Sequence, residues 1–316
     1  MANYITVDGG TTNTRLTLVC DHAIADTLKY GIGAAVGCDA KDSLKQVLKE
    51  GIENILHRNG LCESDVDRIL ASGMITSEGG ICMLKHMKTP CGISELAKGM
   101  HECVIEEIST IPFVFARGVI TDTKELDRLD MMRGEETELF GLTEHPECDC
   151  LYILPGTHSK MIYTDKHGRI CEFWTSLSGD LISATSGHTI LKGSITLEPC
   201  EIDVAYLQRG YECAKEHGIG TALFKVRILD KVLGSAKEQS FSFFLGAVLQ
   251  GEVDSVIRSA AKKVVIGGKH ELRAPLARLL RDNTQKEIIE AEDGVAMTAT
   301  VHGIIRLYEE HLRNSI

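Results

Sequence analysis

The sequence predicts a two-lobed α/β protein, and three observations support this fold class. The chain has 316 residues, enough for two domains that each bury a core. Apolar stretches of strand length alternate along it with apolar residues at helical spacing. In each half, a strand, a tight turn rich in small polar residues and a returning strand follow one another. This duplication indicates two lobes, each with its own turn.

The first half opens with a predicted β-hairpin. Residues 4–7 form its first strand, residues 8–13 the turn, and residues 16–19 the returning strand. A short strand at residues 69–71 and a loop over residues 72–80 come later. Between them lies a helix, predicted by six apolar residues at helical spacing: Leu44, Val47, Leu48, Ile52, Ile55 and Leu56.

The second half repeats the opening pattern around a turn at residues 155–160. Its strands are predicted, in chain order, at residues 151–154, 161–163, 170–174, 264–266 and 288–289. Its helices are predicted at residues 241–257, 271–280 and 295–312. The charged, proline-containing segment 143–147 separates the halves, so the predicted domains are residues 1–147 and 148–316.

Composition and charge narrow the classes of function. Hydrophobic residues make up 43% and charged residues 25%, as in ordinary soluble globular proteins. The formal net charge of -11 argues against a nucleic-acid or anionic-membrane partner, since both need a basic surface. The start, MANYITVDGG, has no signal-peptide pattern, and no apolar run approaches the ~18 residues of a membrane span. With 11 scattered cysteines and no CxxC pair, reduced thiols and a cytoplasmic location are expected.

The first turn has residue types that bind phosphate. Glycines let the backbone approach an anion closely, so that successive N–H groups can point at its oxygens. Asp8, at the end of the strand, can hold Mg²⁺ directly or through water. Taken alone, the same residue types would also make an ordinary hairpin turn. The candidate nucleotide-binding residues of this turn are Gly9, Gly10, Thr11, Thr12 and Asn13.

The second turn, LPGTHSK, again places small polar residues between two strands. Lys160 is a candidate point charge for phosphate, whereas His158 by itself would more often be an ordinary turn histidine. Gly267 and Gly268 follow a buried strand, where a glycine pair lets a flat ring lie on the backbone, although such junctions are common in α/β proteins. The order of turn, turn and glycine junction favours a nucleotide site, with further candidate ligands Gly156, Thr157, His158 and Ser159.

Three further segments carry polar groups suited to a small-molecule substrate. DMMRGEET, at residues 130–137, holds an arginine and two adjacent carboxylates, which are costly to bury unpaired, although a solvated charged face explains them equally well. A loop of small residues follows the strand at 69–71. TSLSGD, at residues 175–180, ends in Asp180, a candidate base or helix cap. The candidate substrate-binding residues are Arg15, Ser72, Gly73, Met74, Thr76 and Arg133.

Together these motifs resemble the 2-dehydro-3-deoxygalactonokinase family, within the superfold of sugar kinases, actin and heat-shock ATPases. MRGEET and PGTHSK are specific to this family, whereas the glycine turns fit any member of the superfold. The sequence departs from the family pattern at Gly9, where Trp is common, and at Asp180, where Glu is usual. The similar segments are DGGTTNTR at 8–15, GMI at 73–75, MRGEET at 132–137, LPGTHSK at 154–160, TSLSGD at 175–180 and IG at 266–267.

The resemblance implies a two-domain actin/hexokinase-like (ribonuclease H-like) fold with an ATP cleft between its lobes. It implies a kinase that uses ATP and Mg²⁺ to phosphorylate the 6-hydroxyl of 2-dehydro-3-deoxy-D-galactonate in galactonate catabolism. The first domain would hold the first phosphate motif and the substrate loops, and the second domain the second phosphate motif and the adenosine motif. A homodimer is a further family-level expectation. The predicted catalytic residues are Asp8, Glu135, Glu136, Lys160 and Asp180, among which a carboxylate would orient or deprotonate the attacking hydroxyl.

Several alternatives stay open from the sequence. One is a kinase for another sugar or keto acid on the same fold. Another is a non-catalytic sugar-sensing protein, although no basic helix-turn-helix segment is found at either terminus. A third is an ATPase or phosphatase in which water replaces the sugar. The sequence also does not rank Glu135, Glu136 and Asp180 as the base.

Overall fold

The structure is a computed structural model that describes residues 2–34, 40–143, 145–147, 149–195 and 201–314. The chain forms two compact units. The first comprises Met1–Cys148, Thr164–Phe173 and Met297–Ile316, and the second comprises Asp149–Tyr163 and Trp174–Ala296. Contacts therefore assign the C-terminal stretch from Met297 to the first unit, a feature that the sequence did not indicate. The domain limits at residues 147 and 148 stay a prediction.

The first 148 residues hold mostly short strands. In chain order they are β1 (Asn3–Gly9), β2 (Thr14–Cys20), β3 (Ala23–Tyr30), β4 (Arg68–Gly73), β5 (Met87–Lys88), β6 (His101–Ile105), β7 (Ser109–Phe115), β8 (Val119–Ile120) and β9 (Met131–Met132). The helices of this part are α1 (Ala40–Arg58), α2 (Ile93–Lys98) and α3 (Glu135–Leu142). The predicted helix around Leu44 is thus confirmed as α1, whose buried apolar side packs with the sheet residues in one core.

A six-stranded sheet in the order β3-β2-β1-β4-β7-β6 organises the first unit, and β5, β8 and β9 form a separate small sheet. β1 and β2 are the predicted antiparallel hairpin, in which Asp8 lies opposite Arg15. β4 runs parallel to β1 and places Ser72 beside Asp8 and Gly73 beside Gly9. Because parallel neighbours end at the same edge of a sheet, the first turn and the loop after β4 leave the sheet together.

The second sheet has the order β12-β11-β10-β13-β14. Its strands are β10 (Cys150–Leu154), β11 (Ser159–Thr164), β12 (Ile170–Ser176), β13 (Lys263–Ile266) and β14 (Glu287–Glu290). The helices of this half are α4 (Ser178–His188), α5 (Val204–His217), α6 (Ile219–Lys231), α7 (Lys237–Arg258), α8 (His270–Asn283) and α9 (Asp293–Asn314). β10 and β13 are parallel neighbours, so the second turn and the glycine junction also leave the sheet at one edge.

The C-terminal helix α9 packs against α3 at two glycines. A Cβ on Gly141 would lie 1.7 Å from the carbonyl oxygen of Ala299, and one on Gly303 would lie 1.9 Å from that of Thr137. Arg306 of α9 donates hydrogen bonds to carbonyls at the end of α3, where helix carbonyls otherwise lack partners. These contacts make α9 part of the first unit.

Each strand and helix predicted from the sequence is confirmed, although β11 begins at Ser159, inside the predicted turn. The sequence did not predict strands β3 and β5 to β9, nor helices α2, α3, α5 and α6. Within the described part of the chain, no helix is both long enough and apolar enough to cross a membrane.

Candidate active site

The first turn connects β1 to β2 and presents polar side chains to solvent. The N–H of Gly10 donates to the carbonyl oxygen of Asn13 at 2.8 Å, which closes the turn. The side chains of Thr11, Thr12 and Asn13 are exposed, and the Asn13 amide donates to the Thr12 hydroxyl at 2.8 Å. A closed turn with exposed hydroxyl groups is suited to bind phosphate oxygens.

Gly9 is packed too closely for a side chain. A Cβ there would lie 2.8 Å from the Cβ of Ile75, in the loop that follows β4. The glycine that distinguishes this sequence from the usual family pattern therefore lets the first turn pack directly on that loop.

Asp8 and Ser72 line a small cavity of about 10 Å³, together with Thr6, Arg15 and Thr300. This volume is close to that of a single water. The Ser72 hydroxyl is buried, at 1% exposure, and has no hydrogen-bond partner among the residues that the structure describes. A buried hydroxyl beside a carboxylate fits a single bound water, because an unpartnered polar group is costly to bury. The cavity itself is too small for a hydrated cation, so the role of Asp8 as the metal residue stays a prediction.

Two glycines bring the predicted substrate segments together. Gly73 has a φ of 85° and Gly134 a φ of 108°, a region of backbone conformation that favours glycine. A Cβ on Gly73 would lie 2.6 Å from the carbonyl oxygen of Gly9, and one on Gly134 would lie 3.3 Å from the Cα of Gly73. The first turn, the loop after β4 and the MRGEET motif therefore form one cluster within the first unit.

Arg133 holds this cluster in place. One terminal nitrogen of its guanidinium donates to the Thr76 hydroxyl at 2.8 Å, and the other donates to the Leu84 carbonyl at 2.7 Å. His86 lies 3.4 Å from the second nitrogen, and burial, helped by the Arg133 charge, lowers the pKa of its imidazole to about 4. Because His86 is neutral at physiological pH, it does not repel Arg133. The substrate-binding role of Arg133 stays a prediction.

The two carboxylates of MRGEET differ in accessibility. Glu136 is buried, at 1% exposure, and both of its carboxyl oxygens accept a hydrogen bond from the Gly134 N–H at 2.9 Å. Burial, followed by the neighbouring charge of Glu135, raises the pKa of Glu136 to about 8. Glu135 is partly exposed and accepts a hydrogen bond from the N–H of Arg133 at 3.0 Å. Of the two, Glu135 is the carboxylate that a bound molecule can reach.

The second turn is joined to the first turn of α4. The N–H of Asp180 donates to the carbonyl of Thr157 at 3.2 Å, and the Asp180 carboxylate lies 3.0 Å from Nε2 of His158. Its side chain is 52% exposed. The structure corrects the interpretation of Asp180 as a cap, because α4 begins at Ser178, two residues earlier, and Asp180 lies inside its first turn. The LPGTHSK and TSLSGD motifs therefore form a second cluster, within the second unit.

A buried carboxyl group, which was not predicted from the sequence, lies on the core side of this cluster. Glu252 of α7 is 1% exposed and accepts a short hydrogen bond from the Ser178 hydroxyl. The Ser178 hydroxyl in turn lies 2.9 Å from that of Ser159. Burial raises the pKa of Glu252, and its hydrogen bonds to serine hydroxyls oppose that effect. The carboxyl group of Glu252, on the core side, therefore orients the Ser159 hydroxyl through the Ser178 hydroxyl.

Lys160 and the glycine junction complete the second cluster. Lys160, expected to offer a charge to phosphate, is only 4% exposed, and that role stays a prediction. The N–H of Gly267 donates to the carbonyl of Ile153 at 2.8 Å, which joins the end of β13 to β10. Gly268 has a φ of 69°, and a Cβ there would lie 2.5 Å from the carbonyl oxygen of Pro155. The junction predicted to hold adenosine therefore packs directly on the second turn.

Comparisons with known proteins give matches along most of the sequence. A family model described as 2-keto-3-deoxy-galactonokinase matches residues 8–307. The 2-dehydro-3-deoxygalactonokinase of Escherichia coli K12 is 27% identical over 254 residues, which cover 79% of this chain and 78% of that protein.

Solved structures show the same fold. A crystal structure of a candidate 2-dehydro-3-deoxygalactonokinase from Sinorhizobium meliloti superimposes with a TM-score of 0.77 at 21% identity, over 96% of each chain. A xylulose kinase from Lactobacillus acidophilus superimposes with a TM-score of 0.52 at 9% identity, over 99% of this chain and 90% of that one. The predicted actin/hexokinase-like fold is thus confirmed.

Gly179→Ala should disturb the second turn. The new Cβ would lie 2.3 Å from the carbonyl oxygen of Gly156 and 2.6 Å from the Cα of Thr157, both backbone atoms. We expect the free energy of unfolding, measured by urea denaturation, to fall by about 1–3 kcal/mol. Gly187→Ala in the same helix is the control. No atom of the part of the chain that the structure describes lies within 4 Å of its added Cβ, so the change should be neutral or stabilising by up to about 1 kcal/mol. Equal effects of the two substitutions would contradict the close packing.

Glu136→Gln should remove a pH-dependent part of the stability. The folded protein keeps a proton up to about pH 8, whereas an ordinary glutamate loses it near 4.5, so wild-type stability falls as the pH rises between these values. The slope is at most about 1.4 kcal/mol per pH unit. Urea denaturation across this interval should show a shallower slope in Glu136→Gln. Glu138→Gln, two residues further along α3, should keep the wild-type slope, and identical slopes in all three proteins would show that the pKa of Glu136 is not raised.

Proposed function

The chain belongs to the 2-keto-3-deoxy-galactonokinase family, and from this membership we propose that it phosphorylates the 6-hydroxyl of 2-dehydro-3-deoxy-D-galactonate with ATP. The match of the family model to residues 8–307 carries the proposal, because that range contains every motif of the two clusters. Phosphoryl transfer requires little covalent chemistry from the protein. These motifs would therefore act by positioning ATP and the acceptor and by neutralising the charge of the phosphates.

We propose that residues 9–13 and 156–159 bind the phosphates of ATP and that Gly267 and Gly268 bind its adenosine. The exposed hydroxyl groups of the first turn support this role, as does the open space at Gly156, where no atom of the described residues lies within 4 Å of an added Cβ. Ser159, held by Ser178, would fix the shape of the second turn. ATP, when bound, supplies the phosphoryl group that is transferred.

Asp8 is the proposed magnesium residue. Its carboxylate lies beside the Ser72 hydroxyl, its neighbour on β4, and hard oxygens of this kind are the ligands that Mg²⁺ takes directly or through water. The cation, when bound, would neutralise charge on the phosphates. Ser72 would keep the bound water oriented towards Asp8.

We propose Glu135 as the base that accepts the proton of the acceptor hydroxyl. It lies in the first cluster with the predicted substrate residues Ser72, Gly73 and Thr76, whereas Glu136 is buried and Asp180 belongs to the second cluster. Arg133 would position the loop after β4 through Thr76. The acceptor carboxylate would then bind to Arg15 or to the loop itself, where a guanidinium offers paired donors.

Other expectations concern the cellular context. A cytoplasmic location, a homodimer and the lack of a nucleic-acid partner stay predictions from the sequence.

The acceptor assay tests the function directly. Purified protein with ATP and Mg²⁺ should release ADP when 2-dehydro-3-deoxygalactonate is present and little without an acceptor, because a kinase would keep water from accepting the phosphoryl group. The rate with the gluconate epimer should be lower by about tenfold or more, since a polar site rejects a misplaced hydroxyl. Equal ADP release without any acceptor would instead indicate an ATPase. If the protein phosphorylates neither the galactonate nor the gluconate compound but rapidly phosphorylates another sugar, the proposed substrate is wrong.

Substitutions at Glu135 and Asp180 test the assignment of the base. Glu135→Gln should lower kcat by about 10²–10⁴-fold with the ADP-coupled assay, because only this carboxylate would accept the proton. Asp180→Asn should have a smaller effect, and the control Glu138→Gln should stay near wild type. Near-full turnover in Glu135→Gln, combined with a large loss in Asp180→Asn, would transfer the role to Asp180.

A further inference from the structure

Two thiols and an imidazole of the first unit lie together, away from the motifs described above. Cys82, His101 and Cys103 place their ligand atoms within 4.8 Å of one another. In the described ranges, no other three histidine, cysteine or acidic residues place their ligand atoms this close together. We propose that these three residues form a zinc site.

Strand geometry and strand pairing place the three proposed ligands close together. His101 and Cys103 are two residues apart in β6, so their side chains leave the strand on the same face. β6 is an edge strand of the six-stranded sheet, and Cys103 pairs with Phe113 of β7. Cys82 lies in the segment after β4. Its own N–H donates a hydrogen bond to the carbonyl oxygen of Ile75. The site would thus join an edge strand to the loop of the first cluster.

The chemistry of the ligands favours zinc. Two thiolates and an imidazole are the soft and borderline donors that Zn²⁺ prefers, and water can complete a tetrahedron at the exposed side of His101. Both sulfurs are half-buried, and neither takes part in a disulfide bond.

The resting thiols are protonated. Burial, helped by the neighbouring Cys103 thiol, raises the pKa of Cys82 to about 11, and burial also raises the pKa of Cys103. Lys41 and Arg117 oppose the shift at Cys82, whereas Glu102 adds to that at Cys103. Zinc binding must therefore release a proton from each thiol, and the affinity should rise with pH.

A bound zinc ion would stabilise the segment that follows the substrate loop. The N–H groups of Ile81 and Cys82 both donate to the carbonyl of Ile75, at 3.0 and 3.3 Å, and that of Leu84 donates to Thr76 at 3.0 Å. Fixing Cys82 to β6 would hold all three hydrogen bonds. The site would have a structural role, separate from the proposed Mg²⁺ at Asp8.

Cobalt titration tests the site with a spectroscopic signal. The full-length protein, freed of metal by a chelator under a non-thiol reductant, should bind one equivalent of Co²⁺. A thiolate-to-cobalt charge-transfer band should appear and should be lost when Zn²⁺ displaces the cobalt. Cys82→Ser and Cys103→Ser should each weaken binding by more than about 100-fold, and His101→Gln by about tenfold or more. Cys171→Ser, which removes an exposed thiol outside the cluster, should bind like wild type.

Hydrogen exchange gives a second, independent measurement. Zinc should slow exchange of the amides of Ile81, Cys82 and Leu84 in the wild type and in Cys171→Ser, but not in His101→Gln. His101 is exposed, so its substitution should leave the fold intact even if the cysteine variants do not fold. Three results would overturn the proposal: no charge-transfer band in the wild type, a band that survives in both cysteine variants, or a Cys82–Cys103 disulfide in protein isolated without metal.

Discussion

Both clusters of site residues depend on backbone segments that pass closer together than a Cβ atom permits. In the first unit, Gly73 and Gly134 let the loop after β4 touch the first turn and the MRGEET motif. In the second unit, Gly179 and Gly268 let α4 and the glycine junction touch the second turn. These contacts fix main chain against main chain, so the positions of the backbone amides proposed to bind phosphate do not depend on the rotamers of flexible side chains.

A buried carboxyl supports each cluster from the side of the core. Glu136 accepts hydrogen bonds from Gly134, and Glu252 accepts one from Ser178. Burial of a charged group is costly, and in both residues it raises the pKa, which favours the neutral acid and lowers that cost. Both groups accept hydrogen bonds from the segments that carry the motifs, so they order those segments from the side of the core.

Local composition was enough to predict the hairpins, the long helices and the motifs, because turn residues and apolar spacing act within a few positions. The convergence of the motifs could not be predicted, since it depends on the parallel pairing of β1 with β4 and of β10 with β13, which only the sheet order reveals. The burial of Lys160 depends on the surroundings of β11 in the same way. Glu252 did leave a signal, because it continues the apolar stripe of Leu245 and Leu249 in α7, where a carboxylate is unusual.

The packing of α9 on α3 has a consequence for biosynthesis. Arg306 bonds to the carbonyl of Phe140, 166 residues earlier in the chain, and Gly303 provides the space in which the two helices meet. A ribosome adds about 5–20 residues per second, so α3 emerges roughly ten to thirty seconds before its partner. During that interval α3 lacks the helix against which it packs in the folded protein, so this contact can form only after α9 has been synthesised.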